Sequence, residues 1–576
     1  MQPDHRFLDD LDETSTRVEP ALMIDDPETF AWDDAADVLV VGVGLAGVCA
    51  ALRSAEDKSL QVIAIDRGEG GGASRLSGGV VYMGGGTRAQ KEAGVNDTPE
   101  NMANYLAYET GNIVRADTVR QFAAASVHFQ DWLEKYGARF GGPATNDKTS
   151  YPEAASLYFS GNEMTVPGRE RATPAQRGHR AKPAKGGEPT KLSGHYLLPP
   201  LLESMERQPN VRFFRQTRAT RMVVDATGAV VGIEVMSIPR GFAAWRHARM
   251  MKLTNNMVVS ALQLGDKVVR AIGRIEQNHA KPRRIRVRKG VILSAGGFNY
   301  NRTMLARTAP DYLQSFPLGT LADDGSGIKL GMTVGARTDQ LDRISAWKFL
   351  YAPESWVKSC TVGPDGQRLV GEEYYGARTG EAVFSRAGGK AWMILDQPLF
   401  DMVSAEIAAM KDLPLFQKVQ YRAIQNKYTT CAETLDELAA TIGVPADRLT
   451  ATIGDYNGYI ERGEPDPLGK SEKYRRKIER GPFYATAIGA SLKLSPIPAL
   501  TMGGLVVDED TGEVLSNEGG KIPGLYAAGR TAVGICSHYY VSGLSLGDCV
   551  WSGLRAAETI KGNGGAAALV AQPQQV

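Results

Sequence analysis

Three glycines and one acid form the chain's clearest chemical pattern. Gly42, Gly44 and Gly47 stand at G-x-G-x-x-G spacing directly behind the apolar run Val38 to Val41, and Asp66 ends a second apolar run about 20 residues on. The chemistry this pattern serves is dinucleotide binding. Gly42 permits the turn, Gly44 lets a pyrophosphate approach the backbone, and Gly47 lets the following helix pack on the strand. Leu45 and Ala46 open that helix, predicted over roughly 46–56, whose positive end faces the phosphates. Asp66 can accept the ribose hydroxyls of an adenosine, and Arg67 follows it.

A glycine-rich stretch, Gly68 to Gly86, comes next and contains Gly70-Gly71-Gly72-Ala73-Ser74 and Ser77-Gly78-Gly79. Such a loop offers backbone N–H groups and small hydroxyls to a diphosphate and lets a flat ring approach the main chain. Its position after the acidic strand end is where a flavin's phosphates and ring would lie.

The rest of the chain has to position these groups. At 576 residues it is long enough for two or three domains with large cores. A net charge of +1 gives no global case for nucleic acid as a partner. The five cysteines, Cys49, Cys360, Cys431, Cys536 and Cys549, form no C-x-x-C pair, so neither a disulfide framework nor a metal site is expected. No secretory signal and no bilayer-spanning apolar run is visible, and a cytoplasmic location is expected.

Residues 1–35 read as an acidic, partly ordered tail. Thr98 to Tyr136 reads as helices, with Pro99 near a start and Gly137 at a stop. Tyr151-Pro152 and the aromatic run Leu157 to Glu163 could line a pocket, and Arg169 to Lys191 reads as a basic loop. Val211 to Val235 alternates like paired strands turning at Thr227-Gly228. Residues 240–289 carry thirteen Lys/Arg against Asp266 and Glu276 alone, with apolar residues at roughly helical spacing. That pattern predicts one or two basic amphipathic helices. They could be a hairpin packed on the domain with a solvated face, or they could dock on a membrane surface beside the substrate entrance; nucleic acid is the weakest reading. Val291 to Phe298 is a further buried strand ending in glycines, and Asp323-Asp324-Gly325 opens a helix. From about 335 to 482 the pattern changes to mixed strands and helices without nucleotide signals, read as an inserted substrate domain.

Together these pieces resemble the fumarate reductase/3-ketosteroid dehydrogenase group of flavoproteins, over about Ala36 to Ala557. The resemblance rests on the Gly42 motif, Ser77-Gly78-Gly79, Ser294-Ala295-Gly296-Gly297, Thr501-Met502-Gly503-Gly504-Leu505, Gly524 to Gly529, and Ser542-Gly543-x-Ser545-Leu546. It implies an α/β fold: a discontinuous FAD domain of the two-dinucleotide-binding type, 36–334 and 483–576, with an α+β substrate domain at 335–482. It implies FAD as cofactor. Besides the residues named above, it assigns FAD contacts to Ala219, Ala295, Gly296, Gly297, Asn301, Asp324, Gly529, Arg530, Ser545 and Leu546.

Two departures narrow the substrate. The fumarate reductase type usually has histidine just before Thr-Met-Gly-Gly, where this chain has Leu500, and the C-terminal segment offers Tyr539-Tyr540-Val541-Ser542 in place of arginines. An apolar residue and phenols suit a flat, oily ketone better than a dianion. Tyr540-x-Ser542-Gly543 resembles the branch that desaturates 3-ketosteroids at the 4,5 bond, and Trp347 to Pro353 resembles that branch's segment bearing a catalytic tyrosine, here Tyr351. The resemblance makes Tyr540 the base that takes the α-proton, aided by Ser542 and Tyr351. Amides near Gly543 and Gly504 would stabilise the enolate oxygen. His538 is a rival base. The open alternatives are a 3-ketosteroid 1,2-dehydrogenase, an enoate or dicarboxylate reductase, and a membrane-associated flavoprotein acting mainly in electron transfer. The expected partners are a steroid-like ketone, an external electron acceptor and peripheral membrane contact.

Overall fold

The computed structural model describes residues 17–146, 155–184, 192–254, 265–350, 353–410 and 415–571. Its central sheet contains, in chain order, β1 (Leu22–Met23), β2 (Asp34–Val41), β3 (Val62–Ile65), β4 (Val211–Phe214), β5 (Thr217–Val224), β6 (Val230–Ser237), β7 (Lys281–Leu293), β8 (Glu513–Leu515) and β9 (Lys521–Ala527). The order is β1-β5-β6-β7-β2-β3-β4, with β9 also on β7 and β8 on β9. The run β4-β3-β2-β7-β9 is parallel throughout. Residues 38–41 are buried on both faces, which is why they read as an unbroken apolar run rather than an alternating one.

Two helices cover the nucleotide end of this sheet, α1 (Leu45–Ala55) and, from the other end of the chain, α4 (Leu544–Ile560). Their crossing is tight: a Cβ on Gly553 would stand 2.4 Å from the Ala46 carbonyl oxygen. Strand β9 and helix α4 therefore make one unit with β2 and α1, although residues 56–520 lie between them in the sequence. No helix among the described residues is long and apolar enough to cross a membrane.

A separate antiparallel sheet of four strands is built from Cys360–Val362, Trp392–Asp396, Phe483–Ala487 and Thr429–Ala432. The strand Phe483–Ala487 completes it, so this layer runs past the expected boundary at 482. A small three-stranded sheet joins Phe316–Pro317, Pro498–Thr501 and Ile344–Ala346.

Several expectations change. Residues 17–35 are not a tail: Val18 and Ile24 are buried, and β1 and β2 begin there. The loop at 68–86 contains a short helix, Gly72–Leu76, and a strand, Val80–Tyr82. The basic loop at 169–191 is structured over the helix Val166–Arg171 and the strand Gly178–Arg180, and 185–191 lie outside the described residues. Within 240–289, α2 (Phe242–Thr254) and α3 (Gly265–His279) are the predicted helices, but 281–289 belong to β7. Lys281, Arg283, Arg284, Arg286, Arg288 and Lys289 read as a helical face from charge density, yet they precede the apolar residues 290–293 in one strand that pairs with β6 and β2. On α3 the apolar side chains Val269, Ile272 and Ile275 are buried.

Candidate cofactor and substrate site

The three motif glycines serve different purposes. A Cβ on Gly42 would lie 2.6 Å from Ala295 Cα, and one on Gly47 would lie 2.0 Å from the Gly42 carbonyl oxygen. Both positions are demanded by the protein's own packing. At Gly44 the nearest atom to a Cβ is Ser74 Oγ at 3.7 Å, an ordinary contact. Nothing in the fold requires glycine at Gly44, and its lack of a side chain leaves the backbone there open to the approach of a ligand. Gly72 faces the same space, its Cβ position 3.9 Å from Gly44 Cα. Ser74 Oγ accepts the Leu45 amide at 3.2 Å, which ties the short helix to the start of α1. Ala73 lies in that helix.

Asp66 closes one end of this cradle. Its carboxylate accepts the amides of Val43 (2.9 Å) and Gly68 (2.7 Å). Burial raises its pKa above the ordinary carboxylate value, against the pull of the Val43, Gly68 and Gly70 amides. Arg67, the next residue, faces elsewhere: its guanidinium is held by Glu276 of α3 and by Asp324. Asp324 is taken up by Arg67 and the Ser326 amide. Asn301 caps the helix Arg302–Thr308 through Oδ1 and donates Nδ2 to the Asp324 carbonyl, so both its polar ends serve the protein. Ala219 lies on β5, two residues beyond Thr217, whose amide donates to the Asp66 carbonyl.

At the other end, the Ser77 hydroxyl donates to the Ser74 carbonyl and accepts the Gly79 amide, across Gly78. Gly79 also admits Ser193, whose carbonyl carbon would lie 2.2 Å from a Cβ there. Behind Ala295, Gly296 and Gly297 stands an ion pair between Asp323 and Arg530, at 2.5 Å. Arg530 follows Gly529, whose amide donates to Ser552 of α4. Arg530 Nη1 is buried without a hydrogen-bond partner among the described residues. Helix α4 begins at Gly543, with φ +86°, and Ser545 and Leu546 lie in its first turn, where helix amides point outward. A Cβ on Gly543 would meet the Val80 carbonyl oxygen at 2.8 Å, so glycine is required there twice over. An open cradle at Gly44 and Gly72, a ribose acid, a buried guanidinium nitrogen in need of an acceptor and a helix N-terminus fit a flavin dinucleotide.

The substrate wall adjoins this end. The Tyr540 ring stacks on Trp347, with centroids 4.9 Å apart and planes at 28°. Ser345 accepts the Trp347 indole N–H at 2.6 Å. Buried Ser542 shares a hydrogen bond of 2.9 Å with the hydroxyl of Tyr158, which is fully buried on the strand Leu157–Tyr158. The Ser542 amide donates to the Ser160 carbonyl. Leu500 is buried on the strand beside Ser345. A cavity of about 190 Å³ opens next to Tyr540, lined by His538, Tyr539, Ser345, Tyr312, Arg343 and Glu381 among others. Tyr351, and Tyr151 with Pro152, lie outside the described residues.

Two arginines escaped the sequence reading. Arg378 lies over the Tyr539 ring at 3.4 Å, and Arg343 lines the cavity. Each faces a carboxylate: Arg378 pairs with Glu109 at 3.1 Å and Arg343 with Glu381 at 3.6 Å. His538 Nδ1 donates to the Glu109 carbonyl, and burial lowers its basicity. The Tyr158–Ser542 pair was hidden for a different reason. Its members are 384 residues apart, and the run at Leu157 to Glu163 showed only aromatic character.

Comparison with known proteins agrees with this geometry. The family model described as FAD binding domain matches residues 37–546. The chain is 34% identical to a 3-oxo-5-alpha-steroid 4-dehydrogenase of Comamonas testosteroni, over 90% of this chain and 96% of that protein. It is 27% identical to a 3-oxosteroid 1-dehydrogenase of Mycolicibacterium smegmatis, over 90% and 96%. Among solved structures it resembles 3-ketosteroid-delta4-(5alpha)-dehydrogenase from Rhodococcus jostii RHA1 in complex with 4-androstene-3,17-dione. That likeness has a TM-score of 0.76 at 28% identity and covers 96% of this chain and 100% of that one.

Proposed function

The chain belongs to the FAD binding domain family of flavoproteins, and from that premise we propose that it desaturates a 3-ketosteroid at the 4,5 bond. The observation that carries this reading is the wall of Trp347, Tyr540, Ser542 and Tyr158 beside the flavin end of the cradle, with Leu500 where a dicarboxylate site would need histidine. The arginines nearby are neutralised by Glu109 and Glu381, which argues against a dianionic substrate.

When bound, FAD supplies the redox chemistry, accepting the β-hydrogen as hydride. The cradle of Gly42, Gly44, Gly72, Ser74 and Asp66 would hold its dinucleotide, and Arg530 with the α4 N-terminus would face the ring. The chain's own work is proton transfer and charge stabilisation. Tyr540 takes the proton next to the ketone. An unperturbed phenol has a pKa of about 10, so it needs hydrogen-bonding support, a role the family resemblance gives to Ser542 and Tyr351. Backbone amides near Gly543 and Gly504 stabilise the developing enolate oxygen. The stacked Trp347 fixes the plane of the Tyr540 ring, and the apolar wall excludes water. An external acceptor must then reoxidise the enzyme. Anaerobic mixing with a 3-keto-5α-steroid tests the reading: the flavin should bleach and the product should carry a 4,5 double bond. A 1,2 double bond in the product would move the enzyme to the neighbouring branch.

A second reading concerns where the enzyme works. On the outer face of α2, Phe242, Trp245 and Leu253 are 74%, 58% and 48% exposed, interleaved with exposed Arg246, Arg249 and Lys252. Exposed Lys267, Arg270 and Arg274 of α3 add to them. This face suits peripheral contact with an anionic membrane, each cation contributing about 1 kcal/mol near such a surface. Binding to phosphatidylserine vesicles should weaken with salt and change Trp245 fluorescence; sedimentation indifferent to lipid charge would remove this reading.

A further inference from the structure

The α2–α3 hairpin was singled out for its charge, yet its inner face carries the more specific feature. Two acid–base pairs and a histidine are buried where it meets the sheet. Glu276 of α3 takes the Arg67 guanidinium through both oxygens, at 2.9 and 3.2 Å. It also bonds His247 Nε2 of α2 at 3.1 Å and lies 3.7 Å from Arg218 of β5. Arg67 Nη1 reaches Asp324 at 3.0 Å. His247 is fully buried and Glu276 is 5% exposed. Burial alone would raise Glu276, but Arg67 beside it holds the carboxyl down at about 2.

The position of this network matters more than its charge. Successive side chains in an extended segment point to opposite sides. Asp66 turns into the cradle toward the Val43 amide, and Arg67 turns out into the hairpin. Helix α2 passes over the same turn: the Met251 methyl lies 3.3 Å from a Cβ built on Gly68, and that Cβ lies 3.4 Å from the Asp66 carboxylate. The Ala244 carbonyl accepts Gln216 Nε2 at 2.9 Å, and the Gln216 amide donates to the Gly68 carbonyl. The hairpin is thus seated on the Asp66–Gly68 turn by contacts from both of its helices.

We propose that the hairpin is the outer wall of the adenosine half of the FAD site, and that Glu276, acting through Arg67, is a positioning residue for it. The wall keeps the Asp66 carboxylate dry and aimed, and it must shift for the adenosine to leave. This proposal rests on FAD binding and is independent of the steroid reading. By linkage, hairpin docking and adenosine binding must strengthen each other by the same factor.

The test separates the adenosine half from the flavin half. The full-length protein, stripped of flavin, is titrated with ADP and with FAD. Glu276→Gln should raise both dissociation constants by the same factor, about tenfold, a coupling of ordinary size. Met251→Ala should act in the same direction, less strongly. Hydrogen exchange in α2 and α3 of the wild-type protein should slow when ADP is added. Unchanged ADP affinity in the variants, or weakened FAD binding with ADP binding intact, overturns the proposal. Should Glu276→Gln fail to fold, Met251→Ala decides by the same two criteria.

Discussion

The cradle and the substrate wall are built on opposite plans. Gly42, Gly44, Gly47, Asp66, Gly72 and Ser74 lie within about thirty residues, and the turn geometry after two parallel strands brings them together. The wall draws Tyr158, Ser345, Trp347, Leu500, Tyr540 and Ser542 from four separate stretches, joined through a three-stranded sheet and the start of α4. In the cradle the backbone does the recognition, so what matters is where side chains are absent. In the wall, on the proposed reading, side chains do it, so what matters is which ones meet. The first plan tolerates drift in sequence except at glycine. The second can change substrate with one contact while the fold stays the same.

The largest effect should come from adding a side chain to the cradle. Gly44→Val should yield folded protein purified without flavin, since its Cβ has room in the protein alone. Gly47→Val should instead fail to fold, because its Cβ would stand 2.0 Å from a carbonyl oxygen. Circular dichroism and the flavin absorption of the purified proteins distinguish the two. A Gly44→Val protein carrying full flavin would sink the assignment of the cradle.

On the wall the effects should be graded. Tyr540→Phe should keep flavin and fold while slowing flavin reduction by on the order of a hundredfold, the scale of a lost general base. Ser542→Ala should slow it by less, about tenfold. Tyr158→Phe removes the other half of a buried hydrogen bond, so its effect should overlap that of Ser542→Ala. In a double-mutant cycle the pair should be far from additive. Stopped-flow reduction measures all four proteins, and strict additivity would show that the Tyr158–Ser542 bond has no part in the reaction.

The same contrast explains what could be read in advance. The cradle, β2, α1, β3 and the β5–β6 hairpin were legible because their signals are local: apolar runs, glycine spacing and a turn at Thr227-Gly228. The end of α3 was misjudged because lysine and arginine density says nothing about backbone geometry when a strand edge, like a helix face, can solvate charge. Residues 17–35 look like a tail because only Val18 and Ile24 of their large apolar side chains are buried, and their backbone bonds go to β5 and β7, far along the chain. Asn301 and Arg67 are expected from the sequence to contact FAD, and in the fold their side chains are spent on a helix cap and on Glu276. Only the tertiary fold reveals such assignments.

A smaller effect concerns a buried lysine beside the wall. Lys348 follows Trp347 and is buried, and its Nζ donates to the carbonyl and the hydroxyl of Ser495, at 3.0 and 2.7 Å. Burial lowers its pKa to about 7. The unfolded chain would hold this proton up to about pH 10.4, so between pH 7 and that value the unfolded state binds more protons than the folded one. Stability therefore rises with pH across this window, and the cost of burying the charge is present in full below pH 7. Lys348→Met removes the slope. The variant also strips Ser495 of a donor, although Gln420 Nε2 still reaches its hydroxyl at 3.2 Å, so the sign of the change at a single pH is a poor test. The slope is the better one. Melting temperatures of wild type and variant should converge or cross between pH 7 and pH 9, the wild type gaining a few degrees, about the shift that 1 to 2 kcal/mol produces in a chain of this size. Parallel curves would mean that Lys348 keeps its proton in the folded protein and that the wall pays nothing for it.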